Sequence, residues 1–204
     1  MNALRKPEPE HVTEAEFNEM EQHAEIRHEL VNGEVYAMAG ASPRHNDLAA
    51  NVLASLHGQL RDSECRPRTS DQRLKVEATG MQSYPDVLVA CPPLRYDEGG
   101  CVLLDATVII KVLSPSTARF DRGAKYLHFQ QLPSLRHYVL VEQDHIGVEH
   151  RKREAGGEWK VEVFARLEDA LSLDAIGCTL SLDDIYERLG LDPALSLLPA
   201  GAQA

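Results

Sequence analysis

Long hydrophobic runs are missing from this sequence of 204 residues. No stretch approaches the roughly 18 uninterrupted apolar residues that a membrane-spanning helix needs. The first ten residues are polar and proline-bearing, and they lack the apolar centre of a secretion signal. We therefore expect a cytoplasmic protein with no membrane partner.

Basic residues are also in short supply, with 21 lysines and arginines against 32 aspartates and glutamates. The resulting net charge of −11 repels nucleic acid at long range. Binding to DNA would therefore need a local basic groove, a divalent metal or a partner.

Familiar metal-binding and redox motifs are absent as well. The four cysteines are Cys65, Cys91, Cys101 and Cys178, and none belongs to a C-x-x-C pair. This spacing suggests neither a zinc site nor a thioredoxin-type site, and reduced thiols are the simplest expectation. The nine histidines form no H-E-x-x-H or H-x-H motif, so we expect no histidine metal site.

Hydrophobic residues make up 43% of the chain and charged residues 26%, which is typical of a globular protein. A chain of this length can bury a sizeable core within one domain. We expect a flexible N-terminus over residues 1–12, one domain over residues 13–190 and a C-terminal tail over residues 191–204.

The N-terminal part predicts a helix followed by a hairpin. Thr13 and Glu16 have the spacing of a capping box, which begins a helix. Asn32-Gly33 lies between two β-prone runs and favours a type I′ turn, because both turn positions need positive φ. A two-residue turn there puts Glu29 and Glu34 on one face of the hairpin.

The rest of the chain alternates helices and strands. Two apolar, β-branched runs, residues 86–90 and 107–113, suit central strands that are covered on both faces. The other predicted elements are helices over residues 44–61, 117–132 and 181–189, and strands within residues 65–76, 137–142, 146–150 and 159–164. This order predicts an α/β fold with a mixed sheet.

Charged residues interrupt both apolar runs. Asp86 opens one of them, either as a turn-former or as a ligand at the sheet edge, since aspartate is a poor strand residue. Lys111 lies inside the other run, where an unpaired ammonium group is costly to bury. Lys111 either reaches solvent at a strand end or faces an acidic partner, and Asp86 is a natural partner if the strands are neighbours.

Residues 114–125 combine a strand end, a polar turn and the basic start of a helix. The free amides at such a helix start can bind a phosphate group. Alternatively, the segment is a capped surface helix with an Asp121–Lys125 pair worth a few tenths of a kcal/mol. His45 also has two interpretations. It either caps the helix that begins near it or belongs to the functional site.

Taken together, these features resemble the Uma-type family of restriction endonucleases, which belongs to the PD-(D/E)XK nuclease superfamily. The matching segments are residues 30–38, 42–45, 85–89, 112–117 and 121–125, in that order. The resemblance spans roughly residues 13 to 190. It implies a restriction-endonuclease-like fold, in which helices flank a mixed central sheet and an acidic site lies at one edge.

The resemblance also implies a reaction, the magnesium-dependent cleavage of DNA. In this superfamily an aspartate and a glutamate on adjacent strands hold Mg²⁺, which polarises the scissile phosphate and activates water. A nearby lysine stabilises the developing charge. By position, Asp86 corresponds to the metal-binding aspartate and Glu34 to a hairpin glutamate that adds a ligand. Lys125 corresponds to a lysine supplied by the following helix.

This sequence departs from the family at one position of the implied site. Members usually read E-V-x-S-P-S, whereas here Lys111 precedes Val112. An ammonium group in place of a carboxylate opposes Mg²⁺ binding by Coulomb repulsion, and Asp86 then pairs with Lys111 instead. Leu113 fills the superfamily's usual lysine position. We therefore expect an impaired metal site.

Two alternatives to an impaired endonuclease stay open. One is a non-catalytic relative that binds nucleic acid or a protein partner. The other is a homodimeric interaction module, for which we expect an interface of exposed Tyr126, Phe129 and Tyr138.

Overall fold

The computed structural model describes residues 11–38 and 40–191. The expectations for residues 1–10 of the N-terminus and for residues 192–204 of the tail lie outside the described residues. Within the described ranges, no helix is long and apolar enough to cross a membrane.

The elements follow one another in the order that the α/β prediction requires. The helices are α1 (Glu14–His23), α2 (Pro43–Gln59), α3 (Ala118–Phe120), α4 (Tyr126–Phe129) and α5 (Leu182–Ile185). The strands are β1 (His28–Val31), β2 (Glu34–Ala37), β3 (Arg66–Thr69), β4 (Leu74–Val76), β5 (Met81–Ser83), β6 (Val87–Ala90), β7 (Val108–Leu113), β8 (His137–Glu142), β9 (Val148–Arg153), β10 (Trp159–Phe164), β11 (Ala170–Leu173) and β12 (Cys178–Ser181). A π-helical turn (Asp121–Lys125) joins α3 to α4, and a 3-10 turn (Asp174–Ile176) joins β11 to β12.

The central sheet has six strands in the order β10-β9-β8-β7-β6-β3. β7 and β8 run parallel and the other neighbours antiparallel, which confirms the predicted mixed sheet. β6 and β7 are buried along their whole length, as their unbroken apolar runs predict. Helices α2 and α5 and the hairpin of β11 and β12 cover one face, and α4 and part of a smaller sheet cover the other.

The smaller sheet has four strands in the order β2-β1-β5-β4. Its hairpin confirms the predicted register, because Glu29 faces Tyr36. Asn32 and Gly33 both have positive φ, 53° and 78°, as a type I′ turn demands. Helix α1 precedes the hairpin and begins with the predicted capping box, in which Thr13 accepts a hydrogen bond from the Glu16 amide.

Strands β5, β11 and β12 were not predicted, and two predicted elements are divided in the structure. The strand predicted within residues 65–76 is two strands, β3 and β4, which belong to different sheets. The helix predicted over residues 117–132 is interrupted by the π-helical turn. Neither difference shows in local periodicity, because a change of sheet and a one-residue bulge both depend on what the segment packs against.

The cysteines correct a further expectation. Cys65 and Cys91 form a disulfide, so these two thiols are not reduced in the structure, while Cys101 and Cys178 are free. The two cysteines come together because β3 and β6 pair with Arg66 opposite Ala90, one residue inside the bridge. Sequence spacing alone does not reveal this pairing of strands.

The expected dimer interface of Tyr126, Phe129 and Tyr138 is wrong. Phe129 and Tyr138 are fully buried, and both belong to the core beneath the smaller sheet. Tyr126 is half-buried and stacks on Tyr138, with ring centroids 5.5 Å apart. These aromatic residues therefore pack against one another and the core within one copy of the chain.

Candidate functional site

Five charged side chains meet between the two sheets, and we refer to them as the ion-pair cluster. Its members are Glu29, Asp86, Lys111, Asp121 and Lys125, which are only 0–8% exposed. They come from β1, the start of β6, β7 and the π-helical turn. Because burying a charge is costly without a partner, a group of this kind requires close pairing.

The first pair joins Asp86 to Lys111. Their side chains lie 3.2 Å apart, which confirms the predicted contact between the two apolar runs. The pairing of β6 with β7 puts Val87 opposite Ile110, so the two charged residues share the face that the smaller sheet covers. Asp86 Oδ2 also accepts a hydrogen bond of 2.7 Å from the Val112 amide.

The second set of pairs centres on Lys125. Its Nζ lies 2.6 Å from Glu29 and 3.3 Å from Asp121. Lys125 thus points into the same site as Lys111, as its position just after the β7 turn predicts. The Asp121–Lys125 pair is buried, which corrects the alternative of a solvent-exposed surface helix. The other Glu29 oxygen accepts a hydrogen bond of 2.7 Å from Ser83.

The pairs keep at least two members of the cluster charged. Burial by itself would lower the pKa of Lys111, but Asp86, Asp121 and Glu29 outweigh it and hold the pKa above its ordinary value. Burial would likewise raise the pKa of Glu29, yet Lys125 and Lys111 hold it below its ordinary value. The two shifts are opposite in direction, and each favours the charged form of its group, as expected when ammonium and carboxylate groups stabilise one another.

Asp121 and His45 complete the surroundings of the cluster. Both carboxylate oxygens of Asp121 are buried without a hydrogen-bond partner among the described residues, so Lys125 is its nearest counter-charge. His45 lies in the first turn of α2, where Ser42 caps the helix, and its Nε2 is 3.6 Å from Asp86. Ser42 therefore caps helix α2, whereas the His45 side chain lies next to Asp86 of the ion-pair cluster.

The structure does not bring Glu34 into the ion-pair cluster. Its side chain is exposed, and it accepts a hydrogen bond from the Tyr36 hydroxyl. Glu29, on the opposite strand of the same hairpin, is the carboxylate that reaches the site. The hairpin register already put both glutamates on one face, but only the packing of β1 against β5 distinguishes the buried one from the exposed one.

The cluster does not fit a divalent cation as its side chains stand. Within residues 11–38 and 40–191 there is no group of three metal-ligating side chains. Mg²⁺ requires oxygen ligands free to face it. Here Asp86 is engaged by Lys111 and the Val112 amide, and Glu29 by Lys125 and Ser83. An ammonium group thus stands among the carboxylates, where it opposes a second cation.

Comparison with known proteins gives one family and one fold. The model of the Uma2 family, described as "Putative restriction endonuclease", matches residues 14–183. The uncharacterized Synechocystis protein slr1290 is 28% identical over 174 residues, which cover 85% of this chain and 90% of that protein. A second uncharacterized Synechocystis protein, sll1609, is 31% identical over 149 residues, or 72% of this chain and 84% of that protein.

The fold is similar to that of a solved structure. The crystal structure of a putative nuclease belonging to DUF820, from Anabaena variabilis, superposes with a TM-score of 0.72 at 16% identity. The match covers 86% of this chain and 97% of that one. The family match and the shared α/β nuclease fold confirm the resemblance found in the sequence, and the chain belongs to the Uma2 family of restriction-endonuclease-like proteins.

Proposed function

We propose that this chain is a restriction-endonuclease-like protein whose magnesium-dependent cleavage of DNA is impaired by Lys111. The proposal rests on the 3.2 Å contact between Lys111 and Asp86. Lys111 stands where the family pattern has a glutamate, and Asp86 stands where it has the metal-binding aspartate. The membership in the family supports DNA as the partner, and the pairing supports the impairment.

The energy of the pair favours the lysine over a metal. Binding Mg²⁺ at Asp86 would require Lys111 to leave a partner at 3.2 Å within a buried site. Separating a buried pair of this kind typically costs about 3–5 kcal/mol, because one charge is left without compensation. A metal ion would have to offset this cost and the repulsion of a second ammonium group, that of Lys125.

The same observation supports a second candidate, a non-catalytic relative that keeps the fold for binding. In the cluster, Lys111 supplies internally the positive charge that a metal supplies in an active relative. The fold would then need no metal to stabilise its carboxylates. The two candidates differ in whether any cleavage remains, while both allow a DNA partner.

Metal binding is the direct test of the proposal. Isothermal titration calorimetry with MgCl₂ and MnCl₂ should give no measurable binding heat for the wild-type protein. Lys111→Glu restores a carboxylate and removes an ammonium group, so it should bind Mn²⁺ and gain thermal stability in its presence. Arg61→Glu makes the same charge change on an exposed residue and should do neither.

Plasmid nicking tests the activity itself. We expect weak or no cleavage by the wild-type protein with Mg²⁺ or Mn²⁺, and more cleavage by Lys111→Glu. Adding Asp86→Ala to Lys111→Glu should remove the gain. Robust cleavage by the wild-type protein that Asp86→Ala abolishes would show that Lys111 is compatible with an active site, and the proposal would be wrong. A gel-shift assay in EDTA then separates DNA binding from cleavage for both candidates.

A further inference from the structure

The two edges of the central sheet differ in how they are protected. β3, at one edge, carries Pro67 between two arginines, and both proline and positive charge discourage pairing with another strand. β10, at the other edge, has six residues and no proline. Its Val161 and Val163 are 55% and 73% exposed, the latter being the most exposed of the large hydrophobic side chains in the described residues.

β10 has a self-complementary sequence. Its residues are Trp159-Lys160-Val161-Glu162-Val163-Phe164, so a lysine and a glutamate flank one valine symmetrically. In an antiparallel pair, opposite residues share a face of the sheet. When two copies of β10 are related by a two-fold axis, the axis must therefore lie between the two copies of one residue, which then face each other. With the axis at Val161, Lys160 faces Glu162 of the partner subunit, and Trp159 faces the partner subunit's Val163.

We propose that β10 pairs antiparallel with β10 of a second copy of this chain, with the two-fold axis at Val161. The pairing joins the two central sheets into one continuous sheet. It covers Val161 with its own counterpart and brings each Val163 against a tryptophan of the other copy. Lys160 and Glu162 lie 2.9 Å apart on an exposed face of the single chain. In the dimer each of them also faces the opposite charge of the partner subunit, so two ion pairs form across the axis.

Neighbouring registers are disfavoured by charge. With the axis at Glu162, the two copies of this glutamate face each other. With the axis at Lys160, the two lysines face each other and Glu158 faces the partner subunit's Glu162. Like charges directly opposite one another destabilise a sheet, whereas opposite charges stabilise it. The register at Val161 pairs each charged residue of β10 with an opposite charge.

This interface is independent of the ion-pair cluster, which lies between β6, β7 and the smaller sheet. β8 and β9 separate β10 from β7 in the central sheet. A failure of the nuclease proposal therefore leaves the dimer proposal intact, and the reverse holds as well.

Charge reversal and charge exchange test the register in the full-length protein. Sedimentation equilibrium should show a concentration-dependent dimer for the wild type. Lys160→Glu and Glu162→Lys each put like charges opposite at two places, and each should weaken the dimer by about 10- to 100-fold. The double variant Lys160→Glu with Glu162→Lys restores opposite pairs and should dimerise as the wild type does. Arg166→Glu, an exposed reversal outside β10, is the control.

A cysteine scan gives a second readout. In a Cys101→Ser background, which removes the exposed free thiol, Val161→Cys should form a disulfide-linked dimer on mild oxidation. Val163→Cys should not, because its counterpart lies about 13 Å away along the strand. A monomeric wild type at its highest soluble concentration would overturn the proposal. So would a dimer that neither single charge reversal weakens, or cross-linking that is equal at both positions.

Discussion

Two buried polar groups in this protein meet the cost of burial in opposite ways. The ion-pair cluster keeps its charges and pairs them, as the contact of Lys111 with Asp86 shows. The second group is a pair of histidines, His137 on β8 and His150 on β9, whose rings stack with centroids 5.1 Å apart. Nδ1 of His137 lies 2.9 Å from Nε2 of His150. Both imidazole rings of this pair are neutral, as their lowered pKa values indicate.

The histidine pair is neutral at pH 7 because its surroundings disfavour the imidazolium form. Burial, together with the neighbouring His150, lowers the pKa of His137 to about 4, although Asp174 acts in the other direction. Burial also lowers the pKa of His150, against the smaller influence of Glu162. Lys152 faces both rings and adds to the lowering.

The difference between the two groups lies in where the counter-charges are. Lys111 and Lys125 contact carboxylates that are themselves buried, so water does not screen the attraction. The carboxylate nearest to His137 is Asp174 at 3.3 Å, and its side chain is 56% exposed. A solvated partner that also binds Lys152 cannot offset the cost of burying a charge. Three experiments test this comparison, and they are taken from the largest expected effect to the smallest.

Removing one ammonium group from the cluster should have the largest effect. Lys111→Met keeps the length and apolar stem of the side chain but leaves Asp86 buried without its counter-charge. We expect the free energy of unfolding to fall by about 3–5 kcal/mol, measured by urea denaturation. Asp86→Asn in the same background should recover part of the loss. A change within about 0.5 kcal/mol, as for an ordinary surface substitution, would show that the pair is not needed for stability.

Acid should weaken the histidine pair first. The pKa of His137 is lowered from 6.5 to about 4. Its contribution to the free energy of unfolding is therefore fully present above pH 6.5 and is lost as the pH decreases towards 4. The loss should be on the order of 2–3 kcal/mol in urea denaturation over this range. In the ion-pair cluster, the pKa of Glu29 is lowered. The contribution of Glu29 to stability is therefore lost only as the pH falls below the ordinary glutamate pKa of 4.5. The two regions therefore lose stability in different pH ranges.

Variants of the histidines separate this effect from general acid denaturation. Replacing His137 and His150 together with leucine should flatten the pH dependence between 6.5 and 4. His57→Gln removes an exposed histidine elsewhere in the chain and serves as the matched control. An equally steep decline in the leucine variant would mean that other groups cause it, and the comparison would fail.

The smallest effect distinguishes the two glutamates of the hairpin. Glu29→Gln leaves Lys125 without a full negative charge at 2.6 Å, and we expect a loss of about 1–3 kcal/mol in the free energy of unfolding. Glu34→Gln is the same chemical change on an exposed side chain and should stay within about 0.5 kcal/mol. Equal losses would show that burial does not separate the two positions.

Much of the fold follows from local sequence, and part of the cluster does too. Asn32-Gly33 sets the hairpin register because few residues tolerate two successive positive φ angles. The pairing of Asp86 with Lys111 follows because two unpaired charges inside buried strands would be too costly. Glu29 and Asp121 were missed as members, since each lies in a segment that is equally suited to an exposed surface.

The sequence by itself determined most of the strands and helices, the family that the chain resembles and the presence of a lysine within a buried strand. Only the tertiary structure decided which charges are buried. It places Glu29 rather than Glu34 against Lys125, and it joins Cys65 to Cys91 across β3 and β6. The physical reason is that periodicity and turn chemistry act over a few neighbouring residues. Burial and charge pairing instead depend on distances between segments that meet only when the sheets pack together.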